Sequence, residues 1–360
     1  MKIAIIDDTL DEFGGSERVA LEMFDLYPNT EFYTSFARPG IISEFFHHIP
    51  ANRFHRLPWI TPGLARHRSL LQWMAPIVWR QYDFSGYDLV MSNPGTLMCN
   101  IIPLPPGMPH IQYIHTIPKN LYWLEPATPL ERLTNYGAYI RPLYKRAILS
   151  TPMIITNSHH MQQKIRVRFG ITPTILHPPV LIPKRIPPRR PGSYYLCVSR
   201  LDNGKHLEIA ITACTKIGAP LKIVGVTNDP EYEAYLKSIA GPSIEFLGFR
   251  TDRDVSLLYR EAKAFLFPSR EEDFGIAPLE ALAHGVPVIA YSGGGPAETL
   301  KHGVTGALFS THSADGMISA FHDLDAMHIR PHTLRAIAAR YGRDRFRKRL
   351  ASIISAYLGR

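Results

Sequence analysis

Short, mainly apolar runs recur along the first half of the chain at residues 3–6, 88–92, 110–114 and 153–156, separated by longer stretches with helical spacing of apolar positions. Mainly apolar runs of four or five residues predict strands buried on both faces, and their alternation with helices is the βαβ rhythm of a parallel sheet. The pattern stops at residues 178–192, PPVLIPKRIPPRRPG, whose proline and basic content predicts an extended, semi-rigid linker. It then restarts, with strands expected at residues 195–199, 221–225, 244–247, 264–268 and 287–290. The expected architecture is α/β, with two Rossmann-like, doubly wound domains facing a central cleft. An N-terminal domain spans 1–178, a proline-rich hinge 179–192 and a C-terminal domain 193–340, with a final helix, 341–360, packing back on the first domain. Such sheets bind ligands at the carboxyl ends of their strands.

Composition agrees with two soluble domains: 360 residues, 45% hydrophobic, against roughly 100–200 residues for one domain. No apolar run approaches the ~18 residues of a membrane span. The N-terminus, MKIAIIDD, reads as a strand reaching acidic residues and not as a signal peptide. Three widely spaced cysteines, Cys99, Cys197 and Cys214, argue against a disulfide framework or zinc ribbon. The cytoplasm is the expected location.

The net charge of +9 is unevenly spread. Residues 132–201 contain no Asp or Glu but twelve Lys or Arg. Residues 45–82 are also free of acids, and there Arg53, Arg56, Arg66, Arg68 and Arg80 alternate with Trp59, Trp73, Trp79 and Tyr82. A solvated basic face accounts for such runs. So does a surface resting on anionic lipid, where arginine and tryptophan both favour the headgroup region. Nucleic acid is not expected as a partner, because no recognised binding motif accompanies the charge.

Candidate chemistry concentrates in the second half. In REEDFGIAPLEAL, Glu272 and Asp273 lie in the loop beyond a strand, followed by Phe274, and Glu280 lies inside the next helix. Pro278 suits that helix's first turn. The turn at Gly275, Ile276 and Ala277 offers backbone N–H groups and the positive end of a helix dipole, a ready anion site. Carboxylates repel phosphate but accept hydrogen bonds from hydroxyls, so phosphate flanked by polyols, as in a nucleotide sugar, fits the pattern. Arg200 and Lys205 follow another strand and can hold a diphosphate. Gly293, Gly294 and Gly295 precede Glu298 at a further helix start, a second expected anion site. Leu247, Gly248 and Phe249 close a strand where backbone groups can read a base. In the first half, Gly14 and Gly15 form a turn before an amphipathic helix for which Ser16 is the expected cap. His115 stands just past a strand end, in the segment HTIPKNLYW.

These residues, with E-D-F-G-I-A-P-L-E, the Arg200 and Lys205 pair, the triple glycine with Glu298 and FGGSERV near the N-terminus, resemble the retaining GT-B glycosyltransferases of family 4, over nearly the whole chain. The resemblance implies that Glu272 meets the transferred sugar's hydroxyls and Glu280 the ribose. It implies that Arg200 and Lys205 neutralise the departing diphosphate and that His115 lies beside the sugar. It further implies a glycan or polyprenyl-diphosphate-linked acceptor met at the inner face of the plasma membrane, with Thr116, Lys119, Tyr122 and Trp123 shaping the acceptor side. HTIPKNLYW resembles the family's polysaccharide and O-antigen mannosyltransferases, which implies GDP-mannose as donor, with UDP-glucose next. A sugar-nucleotide epimerase, a phosphorylase or a non-catalytic scaffold are alternatives within the fold. No cofactor or metal is expected. Asp273–Gly275 lacks the other kinase motifs. Asp252 reads as a helix cap and Asp323 as a helical position, so neither Asp-x-Asp string reads as a metal site. A dinucleotide-dependent oxidoreductase would need Gly-x-Gly-x-x-Gly after a strand, which neither half supplies.

Overall fold

The computed structural model describes residues 1–11, 13–65, 71–72, 74–95, 98–122, 136–183, 189–190, 192–227 and 229–359. The chain divides into two compact units, Met1–Pro179 with Asp344–Arg360, and Val180–Arg343.

In the first unit seven strands form one parallel sheet: β1 (Ile3–Leu10), β2 (Thr30–Ala37), β3 (Phe54–Arg56), β4 (Leu89–Asn93), β5 (His110–Ile114), β6 (Met153–Thr156) and β7 (Thr174–Ile175). Their order is β3-β2-β1-β4-β5-β6-β7, with Ile5 of β1 opposite both Phe32 and Met91. Successive β1 side chains serve opposite faces, as the two-residue period requires. Ile3 and Ile5 join Met23, Phe24 and Leu350 in one core, while Ala4 and Ile6 join Val78, Trp79 and Phe84 in another. Both faces are covered, which is why the first half of β1, Ile3–Ile6, reads as an unbroken apolar run. β2 escaped the sequence reading because its Thr30, Thr34 and Ser35 are polar yet buried. Each hydroxyl is satisfied by a carbonyl: Thr30 donates to Tyr27 at 2.8 Å, Thr34 to Phe36 at 3.0 Å and Ser35 to Asp8.

In the second unit six parallel strands, β8 (Tyr195–Val198), β9 (Leu221–Val224), β10 (Ile244–Gly248), β11 (Ala264–Phe267), β12 (Val288–Tyr291) and β13 (Gly306–Phe309), lie in the order β10-β9-β8-β11-β12-β13. Leu196, Phe265 and Phe267 pack on one face, Cys197 and Leu266 on the other.

The last helix, Arg343–Leu358, buries Phe346, Leu350, Ile353 and Ile354 in the first unit's core with Ile5 and Tyr113. Arg347 fixes it, donating to Glu22 and, at 2.9 Å, to Asp25.

The proline-rich stretch differs from a free linker wherever it is described. Val180 is fully buried and bridges to Gly342. Arg189 donates to the carbonyls of Gly285 (2.9 Å) and Ala262, and Gly192 donates to Glu261 at 2.7 Å. Residues 184–188 and 191 lie outside the described residues. Among the described residues no helix is long and apolar enough to cross a membrane. Of the aromatic and arginine stretch, Arg66, Arg68 and Trp73 also lie outside them, and Trp79 is fully buried.

Candidate active site

The strand order reverses direction between β1 and β4 in the first sheet and between β8 and β11 in the second. At such a switch point the connections leave on opposite faces and open a crevice beyond the strands' carboxyl ends. Asp7 and Asn93 are register partners at the first switch point, and Gly14 follows β1. Arg200 follows β8 and Glu272 follows β11 at the second.

In the second unit Lys205 ends a 3₁₀ turn, Asn203–Lys205, and its Nζ donates to Glu272 Oε2 at 2.7 Å, each side chain about a quarter exposed (22% and 24%). The turn is held by His206, the single non-glycine residue with positive φ (53°) among the described residues. Its Nδ1 lies 3.2 Å from Glu208 Oε1 and its ring meets His312 edge-on at 4.6 Å. A left-handed non-glycine residue costs on the order of 1 kcal/mol and marks a place where the surroundings dictate the backbone. Arg200 pairs with Asp202 at 3.6 Å and is 63% exposed.

Glu272 and Asp273 belong to the loop leading to helix Ile276–Ala283, whose N-cap is Gly275, φ 89°, a conformation that glycine adopts without strain. The amides of Gly275, Ile276 and Ala277 make no hydrogen bond to a backbone carbonyl among the described residues. They form the anion-favouring end of that helix. Glu280 sits on the helix itself, and Phe274 is buried against Tyr341.

The triple glycine has a different role from the expected second anion site. Gly295 donates its N–H to the carbonyl of Glu272 at 2.8 Å, so that amide is not available to a ligand. A Cβ on Gly295 would stand 2.2 Å from the carbonyl oxygen of Asp273. The glycines let two loops press together, and the following segment, Gly295–Glu298, is one 3₁₀ turn and not an α-helix. Leu247 and Gly248 close β10, where the Gly248 carbonyl accepts from Gly225 at 3.0 Å; Phe249 beyond it is 65% exposed.

In the first unit His115 follows β5, and its Nε2 lies 2.8 Å from Asn93 Oδ1. The Asn93 amide donates to Asp7 Oδ2 at 2.7 Å and to the Ser16 carbonyl at 3.0 Å. With both amide hydrogens spent, Oδ1 can only accept, so His115 carries its proton on Nε2 and keeps a lone pair on Nδ1. Burial pushes the imidazole down to about 3, and burial, with Glu17 and Asp8 nearby, holds the Asp7 carboxyl well above the usual range. His115 is therefore expected to stay neutral from pH 5 to 8, its ring-proton NMR shifts flat across that interval; a midpoint near 6.5 would contradict the buried network.

Neither expected cap is confirmed. Gly14 caps helix Gly15–Phe24, and Glu17 accepts its N–H at 2.8 Å, while Ser16 lies inside the helix and donates to Glu17 at 2.9 Å. The Gly14 amide in this turn is thus taken by the Glu17 carboxylate. Thr251, not Asp252, caps helix Asp252–Glu261, accepting from the Asp254 amide. Thr116 donates weakly to the Ile117 carbonyl at 3.3 Å. Lys119 opens the short helix Lys119–Tyr122, the Tyr122 ring packs on Tyr144 and Phe169, and Trp123 lies outside the described residues. Sequence reasoning missed Asp7, Asn93, Glu17 and His206. The acidic DD after an apolar run was the available signal for the first of these.

Two family descriptions match consecutively. Glycosyltransferase Family 4 covers residues 13–182, and Glycosyl transferases group 1 covers residues 182–344. The chain is a GT-B glycosyltransferase of this group 1, family 4 type. A glycosyltransferase of Methanocaldococcus jannaschii is 38% identical over 117 residues, 31% of this chain and 30% of that protein. This chain's matches thus span only about 30% of the length of the curated relatives. Among solved structures, sucrose-phosphate synthase from Thermosynechococcus elongatus superposes with a TM-score of 0.76 at 16% identity, covering 100% of both chains. Anabaena HepE in complex with UDP-glucose gives 0.71 at 19% identity, covering 99% of this chain and 100% of that one. At those identities the likeness is one of fold. This glycosyltransferase shares with them the two parallel-sheet, Rossmann-like domains.

Proposed function

We propose that this glycosyltransferase moves a hexosyl group from a nucleotide diphosphate sugar to an acceptor hydroxyl with retention at the anomeric carbon. The observation that carries this reading is the 2.7 Å pair of Lys205 and Glu272 next to the N-terminus of helix Ile276–Ala283. It sets a phosphate-neutralising cation and a hydroxyl-accepting carboxylate side by side, the order in which a sugar diphosphate presents phosphate and ring. Arg200, Lys205 and the Gly275–Ala277 amides stabilise charge as the bond between the anomeric carbon and the diphosphate oxygen breaks. The electron pair leaves with the diphosphate. The acceptor oxygen attacks from the same face, and its proton passes to a diphosphate oxygen. His115, neutral, accepts a hydrogen bond from a sugar hydroxyl at Nδ1; Glu280 accepts from the ribose, and Phe249 stacks on the base. Charge neutralisation here comes from side chains and amides, so turnover is expected to persist in EDTA, and its loss would overturn the metal-independent reading.

GDP-mannose is the donor implied by resemblance; UDP-glucose gains support from the HepE complex. Assay of the purified protein against a panel of nucleotide sugars, with the anomeric configuration of the product read by NMR, tests donor and stereochemistry together. An inverted product would overturn the mechanism. Glu272→Gln is expected to lower turnover at least tenfold with little change in nucleotide binding by calorimetry, and Glu280→Gln to weaken nucleotide binding instead. Equal binding losses in the two variants would contradict the division of roles. On the acceptor side we favour a glycan or polyprenyl-diphosphate-linked acceptor reached at an anionic membrane surface. Within residues 45–82, exposed Arg56 and Arg80 support this reading, whereas Arg53 is engaged with the Phe24 ring and the Pro28 carbonyl.

A further inference from the structure

The acid-free run of residues 132–201 has a counterpart in the first unit that the donor chemistry does not use. Helices Tyr136–Ser150 and His159–Phe169 flank a cavity of about 540 Å³ whose walls include Tyr122, Pro142, Phe169, Arg141, Lys145 and Arg168. Its body is apolar and aromatic, and its charged members among the described residues are all cations. Two of these are already fixed in place. Arg141 Nε donates to the Leu121 carbonyl at 2.8 Å, with its guanidinium 5.9 Å from the Tyr122 ring centre, and the Arg168 guanidinium lies 4.1 Å from the same centre. Lys145 stands one helical turn beyond Arg141, on the same face. None of the three forms an ion pair with a carboxylate among the described residues. A solvated basic face is usually laced with compensating acids, and among the described residues of these two helices there is none. Val167 beside Arg168 is 77% exposed, and Leu149 further along the other helix 54%.

We propose that this cavity binds the phosphorylated head of an amphiphile, a phosphate or diphosphate ester of an apolar alcohol. Guanidinium groups pre-set on an aromatic ring take phosphate oxygens in bidentate fashion with little further ordering cost. The apolar walls take the first carbons of the chain. Three positive charges favour a diphosphate over a monoester. The inference deepens the reading above by placing the acceptor's head group, but binding is measured without donor, so the two can fail separately.

The test is titration of the full chain, by intrinsic fluorescence, with a short-chain prenyl diphosphate, inorganic diphosphate, and vesicles of phosphatidylglycerol or phosphatidylcholine. The prenyl diphosphate is expected to bind at least tenfold more tightly than inorganic diphosphate. Arg141→Gln/Arg168→Gln should weaken it at least tenfold while leaving nucleotide binding unchanged. Should the double variant melt early, the exposed Lys145→Gln should still weaken binding several-fold. Unchanged binding in folded variants, equal affinity for inorganic diphosphate, or binding to phosphatidylglycerol vesicles alone would each overturn the proposal, the last in favour of a diffuse bilayer-facing surface. Prenyl diphosphate binding in a protein that binds no nucleotide would leave this site standing and remove the function proposed above.

Discussion

Lys205→Ala is expected to lower turnover about a hundredfold, a loss of about 2.7 kcal/mol of transition-state stabilisation. Two effects act together. The departing diphosphate loses a cation held close by a 3₁₀ turn and the left-handed His206. Glu272, 2.7 Å away in the wild type, also loses a contact that helps to orient it. Lys205→Met keeps the length of the side chain without its charge and should lose nearly as much. Steady-state kinetics with saturating acceptor decide the matter: near-wild-type turnover in either variant would remove Lys205 from the diphosphate clamp.

Gly295→Ala is expected to abolish measurable transfer and to lower the unfolding temperature by several degrees. The added methyl would stand 2.2 Å from the carbonyl oxygen of Asp273, where backbone and not a yielding side chain blocks it. Overpacking of this kind costs roughly 1–3 kcal/mol or more, and each kcal/mol moves the midpoint about 2–4 °C in a domain of 150–250 residues. Relief requires the loop bearing Glu272 to move away, which breaks the 2.8 Å bond from the Gly295 amide and takes Glu272 from Lys205. Gly86→Ala is the control, since a Cβ there meets nothing within 4 Å. Calorimetric melting and a transfer assay on both variants test the idea, and Gly295→Ala behaving like Gly86→Ala would contradict it.

Strands buried on both faces were legible because hydrophobicity is the signal that burial imposes: His110–Ile114 and Met153–Thr156 lie where the apolar runs placed them. β2 was not, because its hydroxyls find carbonyl partners only once the sheet exists. The loop and helix bearing Glu272 and Glu280 were legible as local sequence, being contiguous. The Lys205–Glu272 pair spans 67 residues and Asn93–Asp7 spans 86, so each exists only through strand order. Gly294 and Gly295 carried a true signal of close backbone approach, but the sequence could not say whether a ligand or a neighbouring loop comes near. The loop does.

The helix Arg343–Leu358 has a consequence for how the chain is made. Its Phe346, Leu350, Ile353 and Ile354 complete a core whose other members, such as Ile5 and Phe32, are translated first. At about 5–20 residues per second, the roughly 180 residues that follow Pro179 take on the order of 10–35 s to emerge. Throughout that interval the first unit has an open apolar seam, while the second unit, contiguous from Val180 to Arg343, can close on its own. The part begun first is thus finished last, and during synthesis it is the part whose apolar seam stays open to water longest.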